Sequence, residues 1–420
     1  MAVKRRLAVA IGVFVLLGVL VAAGQWYQTQ RTRPQRNAER TVLVHVTNAG
    51  DRGPGTLREA LFIVAAAAGP AAVSLEVPKI ELETALPALV SGHGVRVIGQ
   101  PAGVRIDAHA LDSGPVLDVS GPNTSIEGVT IANCPAAGIL VRAARFRLAA
   151  STLESCDVGV EVAGNTSDTL LERNHFQKNR IGVRFGASGH NSAVADNEFK
   201  EDKDAGLWAV RSAPDSHDDV IGIHDNKFTE EGTGIVAGNI PVLAERNDFI
   251  NSHEAAVHLV GASAVIRANR INGGASMGIV AENARGAIIE ENELEGLTAY
   301  GVMVRGSADT LVRGNRLHNC GYGLAFVLGD AHSVSTAVDN TIIEPKFNGI
   351  DVIGDSPNLR RNQVLRPHAF ALHVEDFQPP NGAKVQSQPF LDNNNFGSSP
   401  VSSAAATAAA PRPKAQQVNR

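Results

Sequence analysis

An asparagine set among large apolar residues returns nine times between Gly159 and Val364, and this repeat restricts the fold more than any other feature of the chain. Asn174, Asn197, Asn226, Asn247, Asn269, Asn292, Asn315, Asn340 and Asn362 follow one another at spacings of 23, 29, 21, 22, 23, 23, 25 and 22 residues. Two places after each stands Phe176, Phe199, Phe228, Phe249, Ile271, Leu294, Leu317, Ile342 or Val364. Three places before each stands Leu171, Val194, Ile223, Ala244, Ile266, Ile289, Val312, Ala337 or Leu359. Leu391, Asn394 and Phe396 continue the register as a tenth unit after a longer insertion. The other half of most units opens on a glycine followed by alternating residues, as in Gly159 to Val162, Gly182 to Phe185 and Gly301 to Val304.

Period two means strand. A unit near 22 residues with short strands cannot bury its apolar face alone, so it must stack on its neighbours as a coil. The composition agrees, since 41 glycines with 5% aromatic residues argue against a helical bundle. The predicted fold class is all-β, a parallel β-helix solenoid with one rung per unit. Inward asparagines one rung apart, at the strand spacing of ~4.8 Å, form an amide ladder. Charges alternate in the same frame: Glu198, Lys227, Asp248, Arg270, Glu293 and Arg316 follow the asparagines, and Glu245, Arg267, Glu290 and Arg313 precede them by two. Opposite charges on adjacent strands set register.

The repeats occupy 95–396. Ahead of them, 41–94 reads as an N-terminal cap with the first strands. There Thr56 caps a short helix whose apolar positions are Leu57, Ala60, Leu61 and Val64, and Gly69-Pro70 ends it. Residues 397–420 read as a disordered Ala, Ser and Pro-rich tail. At the other terminus Lys4, Arg5 and Arg6 precede an uncharged apolar run from Leu7 to Gly24, then Trp26 and Tyr27. Residues 1–24 are therefore expected to be a signal anchor in the cytoplasmic membrane, with 25–40 as linker and the coil in the periplasm or outside the cell. Val21-Ala22-Ala23 offers the alternative of a cleaved signal.

The stretch from Thr47-Asn48 through Gly53 to Leu61, with strands around Val73 to Ile80 and Val95 to Ile98, resembles the cap and opening rungs of pectate-lyase-like, right-handed β-helix proteins. The repeats resemble the family of carbohydrate-binding proteins and sugar hydrolases. The resemblance spans about Thr41 to Leu372 and implies a right-handed coil. It leaves activity open, because that coil carries lyases, hydrolases, epimerases and non-enzymes.

A net charge of -5 and a pI near 6.2 exclude a nucleic-acid footprint. Three Cys and three Met without clustering give no metal site, and no cofactor is expected. Cys134 and Cys156 lie 22 residues apart, one rung, and either stack or bond. The longest rung carries Arg211, Asp215 and His217, which are similar to the Asp-Pro-His-Asp segment of mannuronan C5-epimerases. By that resemblance His217 is the base and Arg211 or Arg184 the cation, with Asp215 beside them; a solvated turn is the alternative. The outward position two after each small residue gives the column Glu161, Arg184, Trp208, Val236, His258, Val280, Met303, Ala325, Asp351 and His373. Glu161, Arg184, Trp208 and His258 are the candidate contacts for a polysaccharide, an acidic polymer included. Val280, Met303 and Ala325 are either covered by the insertion from Glu375 to Gln388 or form a contact with another protein. Two functions follow as expectations: a membrane-anchored protein that binds or modifies a polysaccharide, or a non-catalytic scaffold of the cell envelope.

Overall fold

The computed structural model describes residues 41–100, 103–164, 166–186, 189–212, 220–274, 277–329 and 334–402. The expected anchor 1–24, the linker 25–40 and the tail beyond Ser402 lie outside them. Among the described residues no helix is long and apolar enough to cross a membrane.

From Val42 onward the chain winds through three parallel sheets, giving each a strand per circuit. The first sheet runs over fifteen strands from Val42–Val46 to Phe390–Asp392, the second over thirteen from Lys79–Glu81 to Gln363–Leu365, and the third over twelve from Leu117–Val119 to Leu372–Glu375. Stacking is in register: Phe199 lies opposite Phe176 and Phe228, and Phe228 opposite Phe249. The rings of these four residues stack with centroids 4.8, 4.6 and 4.8 Å apart, and every apolar residue flanking the ladder asparagines from Asn174 to Asn362 is buried. Each such ring, fully buried, contributes about 1.5–3 kcal/mol.

The amide ladder is continuous. Asn174 Nδ2 donates to Asn197 Oδ1 at 3.0 Å, and the same bond recurs rung by rung to Asn394. Each Oδ1 also accepts the backbone N–H of the asparagine before it, as at Asn226 to Asn247, 3.0 Å. The residue ahead of each ladder asparagine turns the corner in the left-handed region: φ is 53° at Arg173, 54° at Arg246 and 53° at Ala268. Small residues are required where the third sheet begins. A Cβ on Gly182 would fall 2.6 Å from the carbonyl oxygen of Gly206 and 2.9 Å from the Phe199 ring.

A second buried column stands five residues beyond the first: Cys134, Cys156, Asn179, Asp202, Glu231 and Ser252. Cys134 and Cys156 are bonded as a disulfide between adjacent rungs. Asn179 bonds back through its Oδ1 to the Cys156 N–H at 3.0 Å and forward through its Nδ2 to Asp202 Oδ1 at 2.9 Å. The charge columns also take the expected register, with Lys227 Nζ 3.9 Å from Glu198 and Arg267 2.6 Å from Glu245.

Helix α1, Leu57–Ala65, buries Leu57, Ala60, Leu61 and Val64 and packs on the first two strands of the first sheet, covering the open end. Thr56 Oγ1 accepts from the Glu59 N–H at 3.3 Å, and Glu59 Oε2 accepts from the Gly55 N–H at 2.6 Å. At the other end the repeat pattern stops at Phe396, yet the chain stays on the coil to Ser402. Val401 bridges Leu372, the Pro400 carbonyl accepts from the Ala371 N–H at 2.9 Å, and Ser402 Oγ accepts from the Val374 N–H at 2.9 Å.

Candidate functional site

The third sheet turns one face to the core and the other to solvent, and register places the outward residues in straight files. Glu161, Arg184, Trp208, Val236, His258, Val280, Met303, Ala325, Asp351 and His373 are each paired with the next. From Arg184 to His373 the file spans eight rung steps, about 38 Å at the strand spacing.

The beginning of the file is occupied by its own contacts. Arg184 pairs with Glu161 at 2.7 Å, so its charge is answered within the sheet. Trp208 is half-buried against Ala137, Leu140, Val158 and Ile181, an outward apolar patch. Arg211 follows this strand at the corner; its backbone N–H donates to the Gly238 carbonyl at 3.0 Å and its carbonyl accepts from Asn239 Nδ2 at 3.0 Å. Asp215 and His217 lie outside the described residues. The structure therefore brings Glu161, Arg184, Trp208 and His258 into one file and sets Arg211 at its edge.

The middle is quieter. His258 Nε2 lies 3.4 Å from Glu282, which also meets Arg305 at 3.5 Å. Val280 and Ala325 are already buried, at 2% and 1% exposure, and Met303 is half-buried, which leaves little apolar area there for a protein partner. The insertion from Glu375 to Gln388 anchors on the last rungs instead: Ser387 Oγ accepts from the Gly354 N–H at 2.7 Å, and Ser356 Oγ accepts from the Gln388 N–H at 3.0 Å.

The far end carries what the sequence reading overlooked. Tyr300 and Tyr322 stack with centroids 4.8 Å apart, and Phe347 continues the stack at 4.9 Å. Phe347 is 49% and Phe370 37% exposed. Beside them Asp351 is buried, with Asn348 Nδ2 at 2.8 Å and His373 Nδ1 at 3.1 Å from its Oδ1. Burial pushes the Asp351 carboxyl up, Asn348 and His373 pull it back, and the charge of Glu375 adds to the rise. Tyr300 is raised by burial and by Asp351. The signal was present in the chain: Tyr300 and Tyr322 stand immediately before Gly301 and Gly323 in consecutive units.

Residues 90–217 and 213–364 match the family described as the right-handed β-helix region. The chain belongs to the right-handed β-helix family. A search of curated proteins finds no sequence match to this β-helix. Among solved structures it is similar to the catalytic unit of a thermostable GH87 α-1,3-glucanase from Streptomyces thermodiastaticus, with TM-score 0.51 and 14% identity over 87% of this chain and 70% of that one. A tailspike protein variant of E. coli bacteriophage HK620, in complex with pentasaccharide, gives TM-score 0.50 and 11% identity over 79% of this chain and 78% of that one. At such identities the likeness is one of fold. Among the described residues no group of three or more His, Cys, Asp or Glu is placed to hold a metal ion.

Proposed function

We propose that the outward face of the third sheet binds an extended polysaccharide. The observation that carries this reading is the stack of Tyr300, Tyr322 and Phe347 beside the polar group of Asn348, Asp351 and His373. Sugars present apolar C–H faces and a rim of hydroxyls, and a half-exposed aromatic stack next to fixed donors and acceptors answers both. Trp208 gives the same face a second aromatic contact toward its beginning. The sugar complex of the tailspike variant shows that the fold can carry such a ligand, and the glucanase shows that it can carry a glycan-cleaving site. The same reading places the coil outside the cytoplasm, held by 1–24 in the membrane. An internal disulfide at Cys134 and Cys156 suits an oxidising compartment.

Affinity electrophoresis of the full chain in detergent through gels of neutral and acidic polysaccharides tests the reading. Selective retardation is expected. Tyr322→Ala removes the middle ring of the stack and should weaken binding roughly 2- to 13-fold, the equivalent of one aromatic contact. Retardation by no polymer, or retardation indifferent to Tyr322→Ala, would count against this face.

A further inference from the structure

The Asp351 and His373 pair has the arrangement of a base and its orienter. Asp351 is 3% exposed and its Oδ1 accepts from both Asn348 Nδ2 and His373 Nδ1. Asn348 is itself braced, because its Oδ1 accepts the Phe370 N–H at 3.1 Å. A carboxylate accepting at Nδ1 keeps the imidazole proton there and leaves the lone pair on Nε2. The His373 side chain is 28% exposed and its ring stands 5.9 Å from that of Phe370, whose N–H is held by Asn348 next to the stacked Phe347.

We propose that His373 is a general base that removes O-acyl groups from a neutral glycan held on the Tyr300, Tyr322 and Phe347 stack, with Asp351 as its positioning residue. The inference rests on the glycan-binding reading of this face. Two features select the reaction. Asp351 is buried beneath the imidazole, so it cannot serve as one of two carboxyl groups flanking a glycosidic bond. Drawing a proton from carbon beside a uronate carboxylate requires a cation on that carboxylate, and among the described residues no Lys or Arg is paired with Asp351 or His373. An uncharged ester needs only an activated water. Nε2 takes a proton from water as the water oxygen bonds to the acyl carbon. The tetrahedral intermediate then collapses with cleavage of the bond between the acyl carbon and the sugar oxygen. The departing oxygen recovers the proton from Nε2, giving the free hydroxyl and a carboxylic acid.

The test is acetate release by the full chain from O-acetylated xylan, mannan and glucan, run beside affinity electrophoresis on the same polymers. Release is expected, with His373→Ala lowering it roughly 10²- to 10⁴-fold, a far larger loss than any weakening of retardation by the same variant. Asp351→Asn should lower kcat by a larger factor than it raises KM and displace the acidic limb of the kcat/KM profile, which a purely structural role would not move. Retardation without acetate release, or release undiminished in His373→Ala, overturns the base and leaves the binding face standing. Neither retardation nor release overturns both.

Discussion

Asp202 and Glu231 are the least comfortable residues of the coil. Both are fully buried, Asp202 Oδ2 and both Glu231 carboxyl oxygens lack hydrogen-bond partners, and Ser252 Oγ above them is likewise unmatched. Burial pushes both carboxyls up, and the nearby charges of Asp202 and Glu201 add to the rise at Glu231. The folded chain therefore keeps protons that the unfolded chain releases above about pH 4. Stability from this pair is complete below that pH and falls as pH rises toward the raised folded values, by up to about 1.4 kcal/mol per pH unit for each proton retained. Asp202→Asn with Glu231→Gln removes the charge and extends the amide column of Asn179. Thermal melts from pH 4 to 9 should show the double variant more stable at the alkaline end, with a flatter profile. An unchanged slope would show that the pair ionises without cost.

Rungs owe their shape to three choices at fixed offsets: a left-handed corner, an asparagine and an apolar residue two places on. Asn247→Ala removes an acceptor for the Asn226 N–H and Nδ2 and a donor to Asn269 Oδ1 and the Ile223 carbonyl. Each buried group left unsatisfied costs about 1–3 kcal/mol, so denaturant melts should register a loss near the top of that range or beyond it. Phe228→Ala breaks the ring stack and should cost about 3–5 kcal/mol. A loss below about 1 kcal/mol in either case would mean that the neighbouring rungs collapse to fill the gap. The asparagine and the apolar residue were legible in the sequence because inward positions repeat with the rung and tolerate few residue types, whereas the left-handed corner was not, since Arg173, Asp196, Ala268 and Glu291 all take it. The third-sheet file was legible for the same reason, its small residue being forced by the close approach of the next strand. The aromatic stack was not. Tyr300 and Tyr322 precede that small residue, where earlier units carry Val158, Ile181, Ala205 and Thr233, so no single type recurs. Phe347 joins through its ring although Asn348 holds the equivalent strand place. Asp351 and His373 stand in the file that the pattern gives, but only their side-chain geometry shows that they act as a pair.

Over the whole coil, each rung touches chiefly the rung before and the rung after, so stability is close to a sum of neighbour terms. At the start α1 lies on the first strands, and at the finish residues 390–402 add a last partial turn over the final strands. The disulfide joins two early rungs in the column that also holds Asp202 and Glu231, and it closes a chain loop of 22 residues.

The constant rise between rungs makes the outward file a ruler whose marks are side chains. Trp208 and the Tyr300, Tyr322 and Phe347 stack are held at a separation counted in whole rungs, so a glycan must be long enough to reach both before it gains from both. Excising two units, residues 248–292, would join Asn247 to Glu293 in the same phase, keep opposite charges on adjacent strands, and bring the two aromatic contacts about 9.6 Å closer. The shortened protein should fold, and the shortest oligosaccharide that gains from both contacts, measured by calorimetry over a length series, should become shorter. An unchanged minimum length would mean that one end alone engages the sugar. Chain length, in such a coil, is a specificity element that evolution can adjust by copying or losing a rung without redesigning the core.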